Sequence, residues 1–220
     1  QVFKQLDDKC TLQASYEDGA IAPKGSRLMT INASTRALLT GERTALNYLQ
    51  RMSGIATLCS RYVQAVSDFT TILLDTRKTT PGWRLLEKYA VHCGGARNHR
   101  RTLDDMVLIK DNHLATMEGP RRIEQAVKRS RQENPELKIE VEADTAIQAK
   151  QAVEAGADIV LLDNMNPAEL EEAIQIIEGQ AQTEASGGIT IDNVHEIAST
   201  GVHFISIGAI THSAQAVDLS

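Results

Sequence analysis

The chain has 220 residues, 42% hydrophobic, 24% charged and only 4% aromatic, with a formal net charge of −6. That length fits one large domain or a domain plus part of another, and the balance of apolar and charged residues excludes a disordered chain. Net acidity disfavours a broad nucleic-acid surface, and no apolar run approaches the ~20 residues of a membrane helix.

Gln1 is not an initiator and residues 1–4 lack the pattern of a signal peptide, so the chain is expected to begin inside a longer protein. Residues 1–33 alternate short apolar runs with turn signals at Asp18-Gly19 and Pro23-Lys24-Gly25, with a strand predicted at Arg27–Ile31. From 34 to 68 apolar residues recur at helical steps (Leu38, Leu39, Leu46, Leu49, Met52, Ile55), with Gly54 as an interruption. One unit then repeats: a short β-branched run followed by an amphipathic stretch. The runs are Thr71–Leu74, Val107–Ile109, Ile139–Val141, Ile159–Leu162, Thr183–Ala185 and Phe204–Ile207. Helices are predicted at 82–92, 120–133, 145–155, 167–177 and 191–199, with Gly156 and Gly201 at C-cap positions. This alternation predicts an α/β fold with a parallel sheet, either doubly wound or a β/α barrel, and six units in series favour the barrel. Cys10, Cys59 and Cys93 form no CxxC pair. They fit neither a disulfide framework nor a zinc site, which makes a reducing cytoplasm the expected setting.

Each apolar run ends in a polar, charged or glycine residue, and in a β/α barrel such tips converge on one rim. Eight Lys/Arg and five Asp/Glu lie between Asp75 and His113, a local surplus of positive charge in an acidic chain. Such a segment suits a pocket for a small anion. Within it, Arg77-Lys78 follows a strand and precedes a Pro-Gly turn, and Gly94-Gly95 precedes His99-Arg100. Lys110 ends a strand, where a buried cation must snorkel or meet an anion. Glu142 and Asp163 end successive strands and suit a hard divalent cation, or ion pairs to the basic tips. Glu140 shares the face of Glu142, which lies nearer the rim and is the preferred ligand. Ser186-Gly187-Gly188 and Gly208 end the last two runs, where barrels frequently bind phosphate. Trp83 and Tyr89 are expected to pack on their helix and Cys93 to be structural; His92, His203 and His212 form no metal triad.

Together these stretches resemble the quinolinate phosphoribosyltransferase family. The resemblance runs over about 36–219 and is carried by Gly41–Asn47, Ser53–Thr57, Asp75–Gly82, Glu87–Val91, Asn98–Arg100 and Leu108–His113. It continues through Glu140–Glu142, Leu161–Asn164, Glu184–Ile189 and Ile205–Gly208. It implies a seven-stranded parallel barrel over 36–213, a C-terminal tail at 214–220, and residues 1–35 as the end of an open α/β sandwich domain. It further implies a homodimer in which Arg43 reaches the partner's site, with no nucleic acid or membrane partner. Arg77, His99, Arg100 and Lys110 would hold the two carboxylates of quinolinate, and Lys78 would face the diphosphate of phosphoribosyl pyrophosphate. Glu142 and Asp163 would position Mg²⁺ and the ribose hydroxyls, and Ser186, Gly187 and Gly208 the 5-phosphate; Lys110, Glu142 and Asp163 are the implied catalytic set. Trp83 and Ala96 depart mildly from the family pattern. The implied product is nicotinate mononucleotide, for NAD biosynthesis. The alternatives are a related transferase with another acceptor, such as the paralogues found with molybdate transport, and a non-catalytic homologue.

Overall fold

A computed structural model describes residues 1–220. Residues 1–34 hold α1 (Val2–Leu6) and an antiparallel pair, β1 (Thr11–Ala14) and β2 (Met29–Asn32). The strand expected from Arg27 begins at Met29 because its partner ends at Ala14. α2 (Thr35–Ala65) is capped by Ser34, whose hydroxyl accepts from the Ala37 amide at 3.4 Å. It runs unbroken through Gly54, correcting the expected interruption. A Cβ there would overlap the backbone carbonyl of Gln215, so the glycine opens a groove for the C-terminal segment.

The rest of the chain alternates strand and helix: β3 (Ile72–Leu74), α3 (Arg84–Cys93), β4 (Val107–Ile109), α4 (Asp111–Ala115), α5 (Arg122–Glu133), β5 (Ile139–Ala143), α6 (Ala146–Glu154), β6 (Ile159–Asp163), α7 (Pro167–Ile177), β7 (Gln182–Ser186), α8 (Val194–Ser199), β8 (Phe204–Ser206) and α9 (Ala209–His212). The strands are all parallel in the order β3-β8-β7-β6-β5-β4. The first parallel strand, β3, pairs with the last, β8, which is the order of a curled β/α barrel and not of a doubly wound sheet, and no ladder joins β3 to β4.

The expected seventh strand is reduced to a single parallel bridge between Leu74 and Arg97. Past Arg97 the backbone is held by a side chain instead of a neighbouring strand: the His99 amide donates to Asp75 Oδ1 at 2.8 Å. His99 then meets Glu140 on β5 and Glu184 on β7 inside the barrel, a convergence that only a curled sheet permits.

Val141, Val160, Leu162, Ala185 and Ile205 are buried in the core between the sheet and its helices. Fully burying each larger one contributes about 1.5–3 kcal/mol. Thr145 caps α6, and Asn166, Pro167 and Glu169 form a capping box on α7. Gly156 (φ 86°) and Gly201 (φ 85°) occupy the left-handed positions expected of them after α6 and α8.

α3 inverts the usual pattern. Glu87 and Lys88 are buried with Ala90 and Val91, whereas Leu85, Leu86 and Tyr89 are exposed. Tyr89 donates to Asp18 at 2.7 Å, and Trp83 stacks on Tyr48 of α2 with centroids 4.6 Å apart. Neither packs on its own helix as expected; α3 turns its polar pair inward because each has a buried partner. No helix is long and apolar enough to cross a membrane.

Candidate active site

Asp75, at the tip of β3, is fully buried. Its Oδ1 accepts from Lys88 Nζ at 2.5 Å and its Oδ2 from Asn98 Nδ2 at 2.9 Å. Lys88 Nζ also donates to the His99 carbonyl at 3.0 Å. Burial pushes the Asp75 carboxyl up and the Lys88 ammonium down, and their pairing opposes both effects. The pair joins the β3 tip, α3 and the 98–99 backbone.

The adjoining loop has its own anchors. Glu87 accepts from the Thr80 amide at 3.1 Å, the Thr80 hydroxyl at 2.8 Å and Arg51 at 2.9 Å. The Thr211 hydroxyl donates to the Lys78 carbonyl at 2.9 Å. These contacts present Lys78 to solvent and leave Arg77 half-buried, with a buried Nε that lacks a hydrogen-bond partner. Burial and the nearby Arg77 charge both lower the pKa of Arg100. An anion placed between the two guanidiniums would offset that repulsion. A cavity of about 510 Å³ opens beside them, lined by Asn98, His99, Arg100, Arg101, Asp105 and Met106. A larger depression of about 930 Å³ between α5 and α6 contains none of these residues.

His99 lines this cavity beside Arg100, and its ring also faces β5 and β7. The Arg100 amide donates to Nδ1 at 2.8 Å, while Nε2 lies 3.2 Å from Glu140 and 3.4 Å from Glu184. Burial opposes a charged ring and the two carboxylates favour it. With Nδ1 already an acceptor, the proton held by the carboxylates is the one on Nε2. Nδ1 thus holds the Arg100 backbone, while both Glu140 oxygens and Glu184 Oε1 lack a hydrogen-bond partner. Glu140 and Glu184 are both essentially inaccessible. Burial and the repulsion of Glu184 push Glu140 up to about 7.

The acidic side lies at the tips of β5 and β6. Glu142 Oε2 accepts from Lys110 Nζ at 2.6 Å. Glu142, Asp144 and Asp163 each offer an oxygen within 4.8 Å of the others. Burial and the Glu142 charge push the Asp163 carboxyl up, with Lys110 and Lys78 pulling the other way. An all-carboxylate donor set of this kind fits a hard divalent cation. Asp144 was missed by the sequence reading, although it lies only two residues beyond Glu142.

Asp163, Ser186 and Ser206 stand side by side in the strand register. The Asn164 amide donates to the Ser186 carbonyl at 2.8 Å. Gly187 (φ 89°) packs where a Cβ would collide with the Asn164 side chain. At Gly208, just before α9, a Cβ would lie 3.1 Å from Lys78 Cδ. Thus Lys78, Asp163, Ser186, Gly187 and Gly208 occupy neighbouring tips of the rim, whereas Arg43 is exposed on α2.

A barrel whose strand tips set a cationic loop pair beside a carboxylate trio and glycine turns defines a protein for polyanionic substrates. The family model described as Quinolinate phosphoribosyl transferase, C-terminal domain, matches residues 55–220, and the N-terminal domain model matches 1–53. The chain belongs to this family. It is 41% identical over 219 residues to a Bacillus subtilis protein named probable nicotinate-nucleotide pyrophosphorylase (carboxylating), covering 99% of this chain and 75% of that one. It is 40% identical over 225 residues to the human nicotinate-nucleotide pyrophosphorylase (carboxylating), covering 100% of this chain and 74% of that one. The solved nicotinate-nucleotide pyrophosphorylase of Francisella tularensis superposes with a TM-score of 0.95 at 42% identity, over 100% of this chain and 77% of that one.

Proposed function

We propose that this chain transfers the phosphoribosyl group of phosphoribosyl pyrophosphate to the ring nitrogen of quinolinate, releasing pyrophosphate and CO₂ and forming nicotinate mononucleotide. The observation that carries this reading is one set of strand tips with Lys110 and Lys78 beside Glu142 and Asp163, and Arg77 beside Arg100.

The physical problem is to bring a dianionic acid beside a polyanionic donor. Arg77, His99, Arg100 and Lys110 meet the acceptor carboxylates, and Lys78 the diphosphate, inside a partly enclosed site where such charges act strongly. Glu142 and Asp163 face the ribose carbon as positive charge develops there. Mg²⁺ held by Glu142 and Asp163, with Asp144 beside them, would supply neutralisation of diphosphate charge. Ring-nitrogen attack forms the N–C bond to ribose as the bond to diphosphate breaks and makes a pyridinium; the ring carbon keeps the electron pair of its carboxylate bond as CO₂ leaves, and a proton from solvent then completes that carbon. The protein's contribution is alignment and charge matching.

The working unit is a homodimer in which Arg43 reaches the partner's site. Tyr48 and Leu49 on α2, and Leu85, Leu86 and Tyr89 on α3, remain exposed in one chain and supply apolar area for that contact. The test is incubation with quinolinate, phosphoribosyl pyrophosphate and Mg²⁺ while following nicotinate mononucleotide, with nicotinate replacing quinolinate as the control. Turnover with nicotinate alone would overturn the acceptor assignment.

A further inference from the structure

We propose that Lys88 is a positioning residue for the acceptor half of the site: through Asp75 and the His99 carbonyl it sets where Arg100 stands relative to Arg77. This rests on the reading of the rim as a quinolinate site, and adds to it a residue that faces no substrate.

Lys88 is essentially fully buried on α3, a place where a lysine is found only when its charge is met. All the geometry around it points at one piece of backbone. Its Nζ spans Asp75 Oδ1 and the His99 carbonyl, its own carbonyl accepts from Asn98 Nδ2 at 2.9 Å, and the His99 amide returns to Asp75. The 98–100 segment has no strand ladder to hold it, since its pairing ends at the Arg97 bridge. The buried pair stands in for the missing ladder.

The Lys78 side of the rim, although it follows Asp75, has supports besides this pair. Its loop is tied by Glu87, Arg51 and Thr211. Loss of Lys88 therefore acts selectively, displacing Arg100 while Lys78 keeps its supports. Generic destabilisation of the barrel would not make that distinction.

The experiment compares Lys88→Met with wild type in steady-state kinetics for each substrate, and in calorimetric titration of quinolinate without donor. A Lys88→Met chain leaves Asp75 unpaired and can fail to fold, so Lys88→Gln and the double variant Lys88→Met/Asp75→Asn accompany it. The expected result in the variants that fold is a quinolinate KM and Kd raised tenfold or more. The KM for phosphoribosyl pyrophosphate stays within about twofold, with partial recovery in Lys88→Gln, which keeps a donor. A folded Lys88→Met or double variant with unchanged quinolinate affinity overturns the proposal. So does an equal loss for both substrates. Absence of quinolinate turnover in the wild type would instead sink the assigned reaction, so the two failures are distinct.

Discussion

Lys110 and Glu142 are bonded to each other at 2.6 Å across the tips of β4 and β5. The cation assigned to the acceptor thus rests on a carboxylate assigned to the donor. Lys110→Ala removes an acceptor contact and leaves Glu142, whose side chain is only 8% exposed, without its partner. We expect kcat/KM to fall about 100-fold or more, near 2.7 kcal/mol of transition-state stabilisation. Wild-type rates would remove Lys110 from the site.

Asp163→Asn tests the carboxylate trio. Taking one charge from a set within 4.8 Å relieves repulsion and weakens its hold on a cation. The Mg²⁺ concentration for half-activation should rise about tenfold, with the fold intact by circular dichroism. An unchanged metal requirement would argue against a role for Asp163.

Sharing of sites between protomers can be read by complementation. Arg43 is exposed on α2 and Lys110 sits at the rim of the barrel. Mixing Arg43→Ala with Lys110→Ala should restore up to about a quarter of wild-type activity, because heterodimers then carry one unaltered site. Verified heterodimers that stay inactive would exclude this arrangement.

Gly187→Ala and Gly188→Ala form a matched pair. Both positions have positive φ (89° and 63°), but only at Gly187 does a Cβ meet the Asn164 side chain; at Gly188 it points into open space. Gly187→Ala should cost about 1–3 kcal/mol and raise the donor KM, whereas Gly188→Ala should cost less. Equal thermal midpoints and donor KM values in the two variants would show that the Asn164 contact is slack.

Burial of Glu140 makes stability depend on pH. Glu140 is raised to about 7 from its ordinary 4.5, first by burial and then by Glu184. The folded state therefore binds this proton more tightly than the unfolded chain. The benefit is fully present below about 4.5 and is lost as pH rises through 7. Glu140→Gln should flatten the fall in thermal midpoint between pH 5 and 8; an identical slope would place the titration elsewhere.

The repeat of strand and helix was legible because its signals are local. α7 appears at 167–177 as predicted, since Asn166, Pro167 and Glu169 announce its start. The interior polar network was less legible. The helix at 82–92 was legible, but the burial of Glu87 and Lys88 on it was not, because they are drawn inward by Arg51 and Asp75, distant in sequence. Glu184 was passed over as part of an apolar run, although strand parity puts it on the face of Ser186. The resemblance gave His99 a substrate carboxylate, and the sequence held no local sign that its ring also lies beside Glu140, Glu184 and the Arg100 amide.

The pairing of β3 with β8 has a consequence for synthesis. While the ribosome is still translating the middle of the barrel, β3 stands with an open edge that only residues 204–206 can cover. Leu219 and Val217 must then reach back to Gln50. A nascent chain of this design cannot close early. Its slow, long-range assembly leaves an interval in which a holding chaperone would have most to do.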